Sequence, residues 1–136
     1  MSCFVDTSGL LAMLDRDDAA HAASRRAWEK LMADKTPLVT TNYVVLETTA
    51  ILQHRVGIEA VRTFSDAICP VLTIEWITAA QHEKGMSALF AAGRRKLSLV
   101  DCVSFNTMRE QGLREVFAFD KHFTEQGFDS NLPGEA

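Results

Sequence analysis

The sequence predicts an α/β fold in which a short, mainly parallel central sheet carries helices on both faces. Two observations predict it. Short apolar runs at 3–5, 37–41, 70–74 and 113–119 have the length of buried strands. Each run returns to the next through segments with helical spacing, which is the mark of parallel pairing with right-handed crossovers.

The elements follow in order. Cys3-Phe4-Val5 is an apolar strand that ends in the turn-like Asp6-Thr7-Ser8-Gly9. Ser8 caps a helix through Leu14, with Leu10, Leu11 and Leu14 on one face. After Asp17 and Asp18, residues 21–34 place Ala23, Ala27, Trp28 and Leu31 at the spacing of an amphipathic helix. Residues 37–41 form the second strand. Thr41 or Asn42 then caps a helix to about Val56, and Gly57 stops it. A short helix covers 59–68, and the third strand covers 70–74. A long helix from about Trp76 to Ala92 ends at Gly93, and Arg94-Arg95-Lys96-Leu97 is a basic loop. Ser98 opens a helix to Gln111, stopped by Gly112, and the last strand, 113–119, delivers Asp120 at its end.

The 136 residues suit one domain spanning 1–136, with a loose tail expected from about 129 where Pro133 and Gly134 fall. A hydrophobic share of 47% builds one core, and 24% charged residues are ordinary for a solvated surface. The net charge of −4 argues against binding nucleic acid by bulk charge alone. It leaves open an enzyme that meets phosphate through a bound cation. Cys3, Cys69 and Cys102 are far apart, odd in number and set in apolar stretches, so they read as buried thiols of a reducing compartment. No apolar stretch is long enough to cross a bilayer, and the N-terminus has no basic leader, so no membrane association and a cytoplasmic location are expected.

The chemistry sits in four acids. In an open parallel sheet, ligands bind beyond the carboxyl ends of the strands. Asp6 and Asp120 directly follow strands, Glu47 lies in the first turns of the helix after the second strand, and Asp101 lies in the first turn of the helix opened by Ser98. All of them can reach the same sheet edge. Two unit charges ~4 Å apart repel by about 4 kcal/mol at an effective dielectric of 20, so such a cluster asks for a cation. Oxygen-only donors favour Mg2+ or Mn2+ over zinc. Each acid also has a plainer reading. Asp6 fits a turn, Asp120 a strand end, and Ser98-x-x-Asp101 a capping box, a role that coexists with metal binding. Arg94, Arg95 and Lys96 are RNA-phosphate contacts or a solvated loop. His21, His54, His82 and His122 are scattered and read as surface or supporting residues rather than ligands.

Four segments together resemble the PIN-domain ribonucleases, in particular the VapC-type toxins of bacterial toxin–antitoxin pairs. They are Phe4-Val5-Asp6-Thr7-Ser8, Val44-Val45-Leu46-Glu47-Thr48, Leu97 to Phe105, and Ala118-Phe119-Asp120-Lys121-His122-Phe123. The resemblance runs from Cys3 to Phe128. It implies a three-layer α/β/α sandwich and metal-dependent endonucleolytic cleavage of single-stranded RNA, leaving a 5′ phosphate and a 3′ hydroxyl. It carries the family's acids to Asp6, Glu47, Asp101 and Asp120, and a supporting hydroxyl to Thr7 or Ser8. It also implies a homodimer and an antitoxin partner. One departure stands out. Ala118 replaces the Thr or Ser that many relatives have two residues before the last acid. The alternatives are a DNA- or structure-specific nuclease, which the same acids would serve, and a catalytically weak module that keeps the fold for protein binding. A receiver-like phosphoacceptor fits poorly, because the first strand offers only Asp6.

Overall fold

The computed structural model describes residues 1–130 and 132. Its centre is a parallel sheet of β1 (Cys3–Val5), β2 (Leu38–Thr41), β3 (Thr73–Glu75), β4 (Glu115–Phe117) and β5 (Asp129–Ser130), in the order β3-β2-β1-β4-β5. The helices are α1 (Thr7–Leu14), α2 (His21–Ala33), α3 (Asn42–Arg55), α4 (Ile58–Thr63), α5 (Ala79–Ala92), α6 (Leu99–Gln111) and α7 (Lys121–Glu125).

The alternation of side chains along β1 and β4 builds two buried layers. Phe4 pairs with Val116, and Val5 with Phe117, so neighbouring residues point to opposite faces. On one face the Phe117 ring lies 5.5 Å from that of Trp28 in α2. On the other, Phe4 lies 6.5 Å from Phe123 of α7, which meets Phe105 of α6 edge-on at 5.0 Å. The three-layer sandwich therefore follows from the period of two in very short strands. Gly9 lets α1 approach β4. A Cβ there would stand 2.4 Å from the carbonyl oxygen of Phe117. Gly85 does the same between α5 and α6, where a Cβ would meet Val103 Cγ2 at 2.6 Å.

Several boundaries differ from the sequence reading. The third strand begins at Thr73 rather than Pro70, because Cys69–Val71 form a tight 3₁₀ turn. Proline lacks the N–H that a central ladder uses and suits the start of such a turn. The next helix starts at Ala79 rather than Trp76. Thr78 and Gln81 form a reciprocal capping box there, and Ile77 N donates to Asn42 Oδ1 at 2.7 Å. The helix expected over 59–68 stays regular only to Thr63 and widens into a π-type turn over Phe64–Ile68. The last long strand shrinks to 115–117.

The tail expected to be loose from about 129 begins instead as strand. Asp129 and Ser130 pair with Glu115 and Val116, and Leu132 is buried. Ser130 Oγ fixes this end by donating to Ala118 O at 2.5 Å. The rest of that expected tail lies outside the described residues. No helix of the described residues is long and apolar enough to cross a membrane.

Candidate metal centre

The strand order reverses at β1, where the chain steps to β2 on one side and β4 lies on the other. In open parallel sheets this switch point opens a crevice at the carboxyl ends. Asp6 leaves β1 and Asp120 follows β4 at that place, and Asp6 N donates across it to Phe117 O at 3.2 Å.

Local sequence explains how the acids are held. Asp6, rather than the Ser8 expected from the sequence, caps α1, its Oδ2 accepting Ser8 N at 3.0 Å, so that Ser8 lies inside the helix. Asp101 occupies the third position of α6, where Asp101 N donates to Ser98 Oγ and Asp101 Oδ2 accepts Ser98 N, each at 3.1 Å. Asp120 caps the short α7, with Oδ1 accepting His122 N at 2.9 Å. The capping reading of Asp101 is thus real, and the turn reading of Asp6 takes the form of a helix cap. The partial positive charge at the starts of α1 and α6 favours a carboxylate there. Glu47 lies in the second turn of α3, half-buried.

The carboxylates sense one another. Burial foremost pushes Asp6 up to about 7; its bonds from Ser8 oppose that, and the charges of Asp101 and Glu47 add to it. Glu47 is raised mainly by burial, with a bond to the Thr7 side chain pulling down and Asp101 and Asp120 pushing up. Asp101 is raised by burial, lowered by Ser98, raised by Asp120 and lowered by His122. The charges link the four acids named from the sequence: Asp6 with Asp101 and Glu47, Glu47 with Asp101 and Asp120, and Asp101 with Asp120. A hard divalent cation is the kind of group whose charge would offset this repulsion.

Hydroxyls set the geometry. Ser8 Oγ donates to Asp6 Oδ2 at 2.7 Å and accepts Phe119 N at 2.9 Å and Asp120 N at 3.2 Å. One side chain thus ties the first acid to the segment that carries the last. Thr48 Oγ1 donates to Thr7 Oγ1 at 3.2 Å, and the Thr7 side chain bonds Glu47. Both hydroxyl residues named beside Asp6 therefore contact an acid. Ala118 is fully buried, and the hydroxyl that reaches its neighbours Phe119 and Asp120 is that of Ser8.

The closest donor group is Asp101, Asp120 and His122, whose ligand atoms lie within 4.8 Å of one another. Asp6 and Glu47 stand outside that tight trio. His122 is the residue that sequence reasoning passed over. Rather than on the surface, it is buried with 8% exposure. Its Nδ1 lies 3.0 Å from Asp120 Oδ1 and 3.8 Å from Asp101 Oδ2, yet it makes no properly aligned hydrogen bond. The signal was present in Asp120-Lys121-His122: a capping acid at a strand end throws the second helical residue back over the cap. A buried donor atom without a hydrogen bond, ringed by acids, fits a cation.

The basic loop is exposed. Arg94 pairs with Glu125 at 3.4 Å on the surface, whereas Arg95 and Lys96 have no ion pair among the described residues. Leu97 buries the end of the loop and Ser98 starts α6, so the loop is anchored directly before Asp101. A groove of about 1110 Å³ runs beside Asp120, the one of the four acids that lines it, with Ser8, Phe119, Lys121, Arg55 and Phe128 among its other walls.

Comparison with known proteins agrees with this architecture. A family model described as "PIN domain" matches residues 3–129. The 23S rRNA-specific endonuclease VapC20 of Mycobacterium tuberculosis, in strains CDC 1551 / Oshkosh and ATCC 25618 / H37Rv, is 36% identical over 127 residues, covering 92% of this chain and 94% of that protein. The crystal structure of VapC20, described as a sarcin-ricin loop cleaving toxin, superposes with a TM-score of 0.84 at 34% identity, over 97% of this chain and 100% of that one. FitAcB from Neisseria gonorrhoeae matches at a TM-score of 0.67 and 14% identity, over 94% of this chain and 95% of that one, a likeness of fold alone.

Proposed function

This chain belongs to the PIN-domain family, and on that premise we propose that it is a metal-dependent endoribonuclease of the VapC toxin type. It hydrolyses phosphodiester bonds of RNA at the pocket of Asp6, Glu47, Asp101 and Asp120. The observation that carries this reading is the mutual electrostatic coupling of those acids, three of them held by caps at helix starts.

Mg2+ or Mn2+ bound there supplies Lewis-acid polarisation of the phosphate and a water of lowered pKa. The sequence pointed to Asp6 and Asp101 as the direct donors, whereas proximity favours Asp101 with Asp120. Asp6 and Glu47 complete the negative pocket and orient water from its floor and rim. Ser8 keeps Asp6 and Asp120 in register, and Thr7 does so for Glu47. Cleavage adds water to phosphorus and releases the 3′ oxygen, leaving a 5′ phosphate and a 3′ hydroxyl. Arg95 and Lys96 contact flanking RNA phosphates and position the strand without reading bases. Arg94 joins them when phosphate displaces Glu125.

The similarity to VapC20 makes a single-stranded 23S rRNA loop the first substrate to test. A toxin relative makes an antitoxin protein the partner to look for, and we propose a cytoplasmic location and a homodimer as the working assembly. The deciding experiment incubates wild type and Asp101→Asn with rRNA-loop RNA and the matching DNA, with Mg2+, Mn2+ or chelator. RNA cleavage that needs the ion and Asp101 is expected. Cleavage that persists in chelator, or that prefers DNA, would overturn the assignment.

A further inference from the structure

We propose that His122 is a direct nitrogen donor to the cation, so that the centre is a mixed carboxylate–imidazole site that favours Mn2+ over Mg2+. The inference rests on the metal-binding reading above and goes beyond it, because the acids alone make an all-oxygen site.

Three observations carry it. The first is proximity. Two donors on one small cation, each about 2.0–2.3 Å away, are at most about 4.6 Å apart. His122 Nδ1 lies 3.0 Å from Asp120 Oδ1 and 3.8 Å from Asp101 Oδ2, separations that donors to one ion can have, and ligand atoms of all three residues lie within 4.8 Å of one another. The second is the state of Nδ1. It is buried, faces both carboxylates and has no aligned hydrogen bond. The oxygen it approaches, Asp120 Oδ1, already accepts the backbone N–H of the same histidine at 2.9 Å. A ring present only to steady Asp120 would align its own N–H on that oxygen. The third is rigidity. His122 is 8% exposed at the start of α7, and the next residue, Phe123, is fully buried against Phe4 and Phe105. The ring is therefore held in place before any ion arrives.

The chemistry follows from the donor type. A neutral imidazole adds a ligand without adding to the crowded negative charge. Mg2+ keeps to oxygen ligands and dehydrates reluctantly, whereas transition ions accept imidazole. Loss of His122 should therefore weaken Mn2+ binding more than Mg2+ binding.

The test uses the full chain loaded with Mn2+ alone. Pulsed EPR should show coupling of the Mn2+ electron spin to a histidine 14N nucleus. The coupling should vanish in His122→Asn, which offers an amide of similar reach, with thermal unfolding of the ion-free variant as the check on folding. By calorimetry the variant should bind Mn2+ at least about tenfold more weakly while Mg2+ changes less. Wild-type protein that binds Mn2+ without nitrogen coupling overturns the role of His122 and leaves the carboxylate site standing. Protein that binds no Mn2+ overturns both.

Discussion

Replacing Asp6 by Asn should stabilise the ion-free protein, the outcome expected of a buried carboxylate crowded by like charges. Asn keeps the shape and the capping oxygen that receives Ser8 N, and it ranks with Asp as an N-cap. What it removes is a buried negative charge. The Asp6 carboxyl is raised from an ordinary 3.8 to about 7, first by burial and then by Asp101 and Glu47. The folded state thus holds this proton more tightly than the unfolded chain. Its stabilising contribution is complete below about pH 4 and is lost as pH rises to about 7, with a slope of about 1.36 kcal/mol per pH unit. Over that window the ion-free wild type forfeits roughly 4 kcal/mol, an order of magnitude that structural relaxation would reduce. Glu47 and Asp101 are shifted in the same direction and add to the trend. The assay is urea unfolding of both proteins in chelator from pH 4 to pH 8. Their stabilities should coincide near pH 4, and Asp6→Asn should lead increasingly up to about pH 7. Added Mn2+ should narrow the gap, since an ion at 100 times its Kd contributes about 2.7 kcal/mol to the protein that binds it. A variant that is weaker than wild type at pH 8 in chelator, or a difference independent of pH, would refute the argument that repulsion and burial dominate at Asp6.

Other substitutions separate the parts of the site. Ser8→Ala should lower stability by about 1–3 kcal/mol, because the backbone N–H groups of Phe119 and Asp120 lose their acceptor, and should weaken Mn2+ binding, both read by thermal unfolding with and without the ion. Gly9→Ala forces a methyl against the Phe117 carbonyl and should cost about 1–3 kcal/mol or more; unchanged melting would show that α1 does not press on β4 as described. The double variant Arg95→Ala/Lys96→Ala should bind single-stranded RNA more weakly with a salt slope shallower by about 1.4, leaving Mn2+ binding intact; an unchanged slope would remove this loop from the RNA track.

Three of the candidate acids stand where local rules point: Asp6 directly after β1, Asp120 shortly after β4, and Asp101 three residues after a capping serine, whereas Glu47 lies inside α3 with no such local mark. The parallel sheet was legible for a similar reason, since buried strands alternating with amphipathic helices admit few other arrangements. Short elements escaped. A two-residue strand such as β5 has no periodicity, and α7 is a single helical turn whose existence depends on packing Phe123 beneath it.

The sequence by itself located Thr41 and Ser98 as caps and Gly93 and Gly112 as stops, because those preferences are settled by neighbours along the chain. Only the tertiary structure decided that Ser8 would clasp a backbone 111 residues away, that the acids would share one field, and that His122 would be buried among them. Those facts follow from the order in which strands pair. The pairing is set by burying whole faces of side chains, and no local stretch of sequence carries it.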